Sequence, residues 1–342
     1  MAVISPQFIE PKKPWFKRQR FYLLAVVAVV IGWFAIRLSV IYNTIVIDNG
    51  SWLGNFASIL KQEKPTPDPN PMPTPEPDRF DVLILGIRGT DQTAIEEEGG
   101  LLTDTLLIAS VDKTTKKAAL VSIPRDLYVD ILGVKGKVNE IYERGLERKQ
   151  GLELAKQIVS RFTGVYIDKT VVFDFNAFQH IVDTLGGIDI YLAKPFTEKN
   201  QWGYEFSLPA GNNHLNGEQA LYYVRSRFST SDFDRARRQQ EVIAAIKDKA
   251  AKSNYLTNPV KITNLLSELK DDIRTDFQIW DIKDMLDLAA TFSPKSQIKN
   301  YVLSIDNLLY ETHSAKGDYL LLPKGDNYDM AKELFLTILE KE

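Results

Sequence analysis

The sequence predicts an α/β protein, an α/β/α sandwich around a mixed sheet, with a single transmembrane helix at its N-terminus. Three observations carry that expectation. From Phe80 onward, apolar runs rich in β-branched residues alternate with segments of helical periodicity. A charge-free stretch, FYLLAVVAVVIGWFAI, fills Phe21 to Ile36. Between the two, proline stands at every second position from Pro65 to Pro77, which blocks helix and sheet alike.

The apolar stretch continues past Arg37 to Tyr42, 22 residues from Phe21, and at ~1.5 Å per residue it covers roughly 33 Å, enough for a hydrocarbon core of about 30 Å. Arg37 would snorkel toward the far interface. Lys12, Lys13, Lys17, Arg18 and Arg20 precede it and no such cluster follows, so residues 1–20 are expected in the cytoplasm and the C-terminal part outside. A cleaved signal peptide is the rival, but the run exceeds a usual apolar core and no small-x-small site follows. Residues 43–64 carry Trp52, Leu53, Phe56, Ile59 and Leu60 at helical spacing, an amphipathic juxtamembrane segment. The proline-rich linker, 65–77, is expected as an extended spacer of roughly 40 Å.

Residues 78–342 read as one extracytoplasmic unit. Phe80–Ile87 and Thr103–Asp112 are expected as core strands, with Lys117–Ile123 as the hairpin partner of the second. Gly151–Phe162 predicts a helix, Thr170–Phe175 a strand, Ala177–Leu185 a helix stopped by Gly186-Gly187, and Ile188–Leu192 a strand. Asn216 with Gln219 predicts a capping box for a helix to about Val224, and Asp232 is read as the cap of a helix over Phe233–Lys252. Two or three helices, a strand near Tyr301–Ser304 and a closing helix over Tyr328–Leu339 complete the chain.

Composition bounds the chemistry. The 342 residues are 44% hydrophobic and contain no cysteine, which permits a core without disulfides and excludes thiol catalysis and Cys-ligated zinc. A net charge of -3 and pI near 5.8 argue against a chain-wide grip on nucleic acid. Ser110 and Lys113 match S-x-x-K without a K-T-G partner, Gly86 and Gly89 form no P-loop, and His180, His214 and His313 lack ligand spacing.

Five arginines fall between Arg225 and Arg238. Such a run is ordinarily a solvated face, yet Arg235, Gln239, Val242 and Ile246 share one helical stripe whose later turns are apolar. Arg225 and Arg227, two apart in expected extended chain, can leave one side of the backbone. Guanidinium groups that converge inward require a polyanion, and their planar fork suits phosphate oxygens. Arg125 and Asp126 follow Pro124 where a buried strand ends, either as a functional pair or as a structural ion pair. Asp104 opens an apolar strand, as a turn cap or as a ligand for Mg2+. Lys137 and Asn139 lie in an expected loop and offer a cation and a hydrogen bond, or simply a surface.

LILGIRGTD, LTDTLLIASVD, SIPRDLYV, GKVNEIYERG, FDFNAFQHIVDTLGGIDI and LNGEQALYYVRSRFSTSDFDRARRQQ occur in this order, and together they resemble the LytR-CpsA-Psr family over roughly Phe80 to Ile246. The resemblance implies a single-pass membrane protein with an extracytoplasmic α/β/α domain. It implies a phosphotransferase that moves a glycopolymer from a polyprenyl pyrophosphate carrier to peptidoglycan, with Mg2+ beside the pyrophosphate. Its metal-binding aspartate corresponds to Asp104. Its arginines correspond to Arg125, Arg225, Arg227 and Arg235, and its glutamine to Gln239. Leu102 stands where the family has arginine, and Arg88 where it has an acidic ligand, which leaves Asp91 as the substitute. Arg88, Lys137, Asn139 and Asp126 are expected to contact substrate. A non-catalytic lipid-phosphate sensor or scaffold and a lipid pyrophosphatase are the alternative readings.

Overall fold

In the computed structural model the described residues are 37, 68–89, 99–253, 255, 258–278, 281 and 298–340. The chain divides into units Met1–Asn43 and Thr44–Glu342, and of the first only the exposed, helical Arg37 is described. The expected span over 21–42 and segment 43–64 therefore lie outside the described residues, Arg37 excepted. Among the described residues no helix is long and apolar enough to cross a membrane.

A six-stranded mixed sheet organises the second unit. Its strands are β1 (Arg79–Gly86), β2 (Thr105–Asp112), β3 (Ala118–Ile123), β6 (Lys169–Phe173), β11 (Ile273–Thr275) and β12 (Ile298–Val302), in the order β11-β6-β1-β2-β3-β12. The sequence between the two core strands folds as expected, with β2 and β3 pairing antiparallel from Leu106↔Ile123 to Val111↔Ala118. Since β2 is antiparallel to both β1 and β3, while β6 is parallel to β1 and β12 to β3, four strands run in one direction. Their carboxyl ends share one edge of the sheet, where open α/β folds place their ligands.

The period of two along each strand sends alternate side chains to opposite helical layers. Leu83, Leu85, Ile108 and Val121 face a core shared with α1 (Ile141–Glu147), α2 (Gly151–Thr163) and Phe335 of the closing helix Asp329–Thr337. Phe80, Val82, Leu107 and Leu120 face Ile243, which lies on the long helix Asp232–Lys252. A third cluster joins α3 (Phe175–Thr184), β7 (Ile188–Leu192), β8 (Phe196–Glu198), β9 (Phe206–Leu208), β10 (Gly211–Leu215), α4 (Gly217–Arg225) and Val242 of α5, the long helix just named. The remaining elements are α6 (Pro259–Glu268), the closing helix α7, and the ribbons β4 (Tyr128–Ile131) with β5 (Val134–Lys137) and β13 (Leu309–His313) with β14 (Tyr319–Pro323).

Two caps decide how α4 and α5 enter the site. Asn216 accepts from the Gln219 amide while Gln219 returns a bond to the Asn216 amide, as the sequence predicts. At α5 the cap is Ser231, not Asp232: its hydroxyl accepts from the Asp234 amide at 3.1 Å and Asp234 closes the box. Asp232 is thereby the first helical residue, where a carboxylate also favours the helix dipole.

Candidate active site

At the carboxyl edge of the sheet lies a cavity of about 530 Å3. Each wall comes from a different element. Gly86 and Arg88 stand at and just past the end of β1, Asp104 and Thr105 at the start of β2, and Arg125 just past β3. From the side, α3 supplies Phe175, Phe178 and Ile181, and α4 supplies Leu221, Val224 and Arg225. Across the top, α5 contributes Arg235, Gln239, Ile243 and Ile246 at intervals of four, four and three, the spacing of one helical face. The interior is apolar, whereas Arg88, Arg227 and Phe228 are exposed and mark the mouth.

Arg125 is the hinge of the polar cluster. Its Nη1 donates to Asp104 Oδ1 at 2.7 Å, and its Nε lies 3.4 Å from Asp232 and 3.5 Å from Asp126. Burial would lower this guanidinium, but the three carboxylates, Asp104 foremost, outweigh it and raise its pKa. Arg225 and Arg235 go the other way. Both are lowered mainly by burial, with neighbouring arginines adding to it, Arg88 and Arg227 at Arg225, and Arg125 and Arg227 at Arg235. Asp104 at Arg225, and Asp232 at 3.3 Å followed by Asp104 at Arg235, compensate only in part. Buried like charges with incomplete compensation form a site whose charged state an incoming anion would stabilise.

Aromatic packing fixes Arg225, whose guanidinium sits 4.0 Å from the Phe175 ring centre and 5.1 Å from that of Trp202. Gln239 Nε2 donates to Thr105 Oγ1 at 2.9 Å and ties α5 to the start of β2.

The LytR_cpsA_psr family model matches residues 55–334. The chain belongs to the LytR_cpsA_psr family. Its relatives include the polyisoprenyl-teichoic acid–peptidoglycan teichoic acid transferase TagU of Enterococcus faecalis, 32% identical over 64% of this chain and 68% of that protein. The crystal structure of Bacillus subtilis TagU is 28% identical, with a TM-score of 0.53 over 78% of this chain and 98% of that one. That of B. subtilis TagV, at 24% identity and a TM-score of 0.60 over 78% and 99%, shares the fold.

Against the LytR_cpsA_psr pattern, the structure gathers Arg88, Asp104, Arg125, Arg225, Arg227, Arg235 and Gln239 around one cavity. The other expected substrate contacts stand behind Arg125. Asp126 accepts from Lys137 Nζ at 2.6 Å. Lys137 ends β5 and Asn139 sits in a 3-10 turn, so neither lies in the expected open loop. Asn139 is a strap: its carbonyl accepts from the Thr103 amide at 2.9 Å and its amide donates to the Arg125 carbonyl at 3.3 Å, holding the Asp104 and Arg125 segments together. Arg225 closes α4 instead of lying in extended chain, with Ser226 as the cap. Two of the five clustered arginines serve elsewhere. Arg237 is exposed and paired with Asp234 at 2.5 Å, and buried Arg238 donates to the carbonyls of Tyr223 and Ser226. Ile243, not Val242, continues the Arg235 stripe into the cavity. Asp91 lies outside the described residues.

Fit to a divalent cation rests on Asp104, the one carboxylate lining the cavity among the described residues, with its side chain 37% exposed. Among those residues no group of three or more His, Cys, Asp and Glu is placed to hold a metal ion. A single accessible carboxylate suits Mg2+ when ligand phosphates and water supply the remaining oxygens, which is how that ion is commonly held. The recess lined by Gln201, Trp202 and Phe228 escaped the sequence reading. Aromatic residues flanking an arginine pair are its only sequence signal.

Proposed function

We propose that this chain is a phosphotransferase that moves a glycopolymer from a polyprenyl-pyrophosphate carrier to peptidoglycan, the type of transfer for which TagU is named. The observation that carries it is the pairing of five arginines and one carboxylate with a cavity whose other lining residues are mostly apolar. The apolar interior suits the prenyl tail, and the arginines at and below the mouth suit two linked phosphates.

In this reading a peptidoglycan hydroxyl attacks the glycan-side phosphorus. The bridging P–O bond breaks and polyprenyl phosphate leaves. Arg225, Arg227 and Arg235 stabilise charge on the phosphoryl oxygens, since phosphoryl transfer depends chiefly on positioning and electrostatics. The hydroxyl proton passes to a carboxylate beside Arg125. Each of Asp126 and Asp232 faces two cations, Asp126 the close Lys137 at 2.6 Å with Arg125 at 3.5 Å, and Asp232 Arg125 at 3.4 Å with Arg235 at 3.3 Å; Asp232 is the better placed because it lines a recess shared with Asp104, Arg235 and Gln239. Mg2+, when bound through Asp104, would neutralise further phosphate charge. The site lies outside the cell, on a domain anchored by residues 21–42 with the N-terminus inside, and protease added to intact cells should then cleave it.

The test is incubation of the full chain with labelled prenyl-pyrophosphate-linked glycan and peptidoglycan. Transfer predicts label in the wall fraction together with free polyprenyl phosphate. Label released equally without acceptor would identify a pyrophosphatase, and binding without turnover a sensor.

A further inference from the structure

If the arginines hold the pyrophosphate and the apolar interior takes the tail, the sugar end must leave through the mouth. What stands there is aromatic. Phe228 is 62% exposed and lines the cavity, with the Arg227 guanidinium 5.5 Å from its ring centre. Trp202 lines the same cavity and stacks on Tyr222 at 4.7 Å and 27°. Tyr204, 49% exposed, meets the other side of this array edge-on to Tyr222 at 6.0 Å.

Exposed rings of this size are ordinarily costly, and this rim is held rigid. Gln201 Nε2 donates to the Arg225 carbonyl at 3.0 Å, and Gln201 Oε1 accepts from the Arg227 amide at 2.8 Å. The Trp202 indole N–H donates to Ser226 Oγ at 3.3 Å. Beneath them the buried Glu198 accepts from the amides of Asn200 at 3.2 Å and Ser229 at 3.1 Å. The segment between β8 and β9 and the segment after α4 are thus clamped together, with Tyr204 and Phe228 left exposed and Trp202 half-buried. Rigid aromatic side chains presented at low entropy cost are binding surfaces, and the C–H faces of a pyranose ring are the natural complement to them.

We propose that the rim of Trp202, Tyr204 and Phe228 is a stacking subsite for the first sugar ring beyond the pyrophosphate. This rests on the pyrophosphate reading of the cavity. It makes the protein select glycosylated lipid over bare lipid, on a rim that begins where Trp202 and Phe228 pack against Arg225 and Arg227.

Two probes separate the claims: a C20 prenyl pyrophosphate, and the same lipid carrying one N-acetylhexosamine, each titrated calorimetrically against the full chain in detergent. The unaltered protein should bind the glycosylated lipid more tightly. Tyr204→Ala, which removes a ring outside the cavity lining, should weaken the glycosylated lipid roughly three- to tenfold, the scale of one aromatic contact, and leave the bare lipid unchanged; Phe228→Ala should weaken the glycosylated lipid more than the bare one, and Phe228→Tyr should retain affinity. Equal weakening of both lipids would assign Phe228 to the tail and overturn the subsite, as would no change in either. If the unaltered protein binds neither lipid, the pyrophosphate reading itself falls.

Discussion

Whereas Arg235 pairs with Asp232, Arg237 with Asp234 and Arg238 with backbone carbonyls, Arg225 and Arg227 line the cavity with aromatic rings against their guanidinium groups. Replacing either with alanine should lower transfer by about 10² to 10³ in rate, the usual cost of losing one positioned donor. The far-UV circular dichroism should be unchanged, because neither side chain carries a backbone carbonyl as Arg238 does. Arg238→Ala should instead destabilise the domain, since it strands the buried carbonyls of Tyr223 and Ser226. Remote from the site, Asp168 has its pKa raised to about 6, mainly by burial, with the nearby Asp81 charge adding to it against a hydrogen bond from the Asp81 amide. A raised carboxyl favours the folded state while protonated. Its contribution is complete below the ordinary value near 4 and is lost as pH rises through about 6. Thermal unfolding from pH 4 to 8 should therefore show a stability advantage of Asp168→Asn over the unaltered protein that grows with pH. A constant difference would remove Asp168 from the pH response.

At the scale of elements, α5 sets the site, because one helix carries Arg235, Gln239, Ile243 and Ile246 on the cavity face. Buried Gln240 fastens the neighbouring face, donating to Ser122 Oγ at 2.7 Å and to the Tyr301 carbonyl at 2.9 Å. Loss of its cap through Ser231→Ala should cost about 1 kcal/mol in urea unfolding. Gly187 is constrained more sharply. Its φ of +82° joins a position where a Cβ would come within 2.5 Å of His214 Nε2 and 2.9 Å of the Leu215 carbonyl. Gly187→Ala should destabilise by more than about 1 kcal/mol. The long elements were legible because their patterns are long: β1 to β3, α2, α4 and α5 all stand within two residues of expectation. The ribbons were not. β8, β9 and β10 are three to five residues long, with sequences such as FTE and GNNHL, too short and too polar for a period of two to show. The cap of α5 was misplaced by one because Ser231 and Asp232 are both good cap residues, and only the partner at Asp234 decides between them.

Across the whole molecule, the site exists because four co-directional strands end on one edge. The expected hairpin of β2 and β3 already brings the end of β3 to the start of β2, but periodicity does not order the remaining strands and so could not foresee that the end of β1 would join them. The arginine stripe on α5 was readable from spacing alone, since a 3.6-residue period fixes which side chains share a face. Arg237 and Arg238 were not separable from it by charge; only the rotation of about 100° per residue turns one outward and the other onto carbonyl groups. Lys137, Asp126 and Asn139 were found as a motif but act one layer back, where they support Arg125. A crystal structure with a prenyl pyrophosphate bound would show directly what the cavity holds. Phosphate density should be bonded by Arg225, Arg227 and Arg235, with the tail running between Phe178, Leu221 and Ile246. Phosphate density on another face of the domain, with this cavity filled only by solvent, would contradict the pyrophosphate reading.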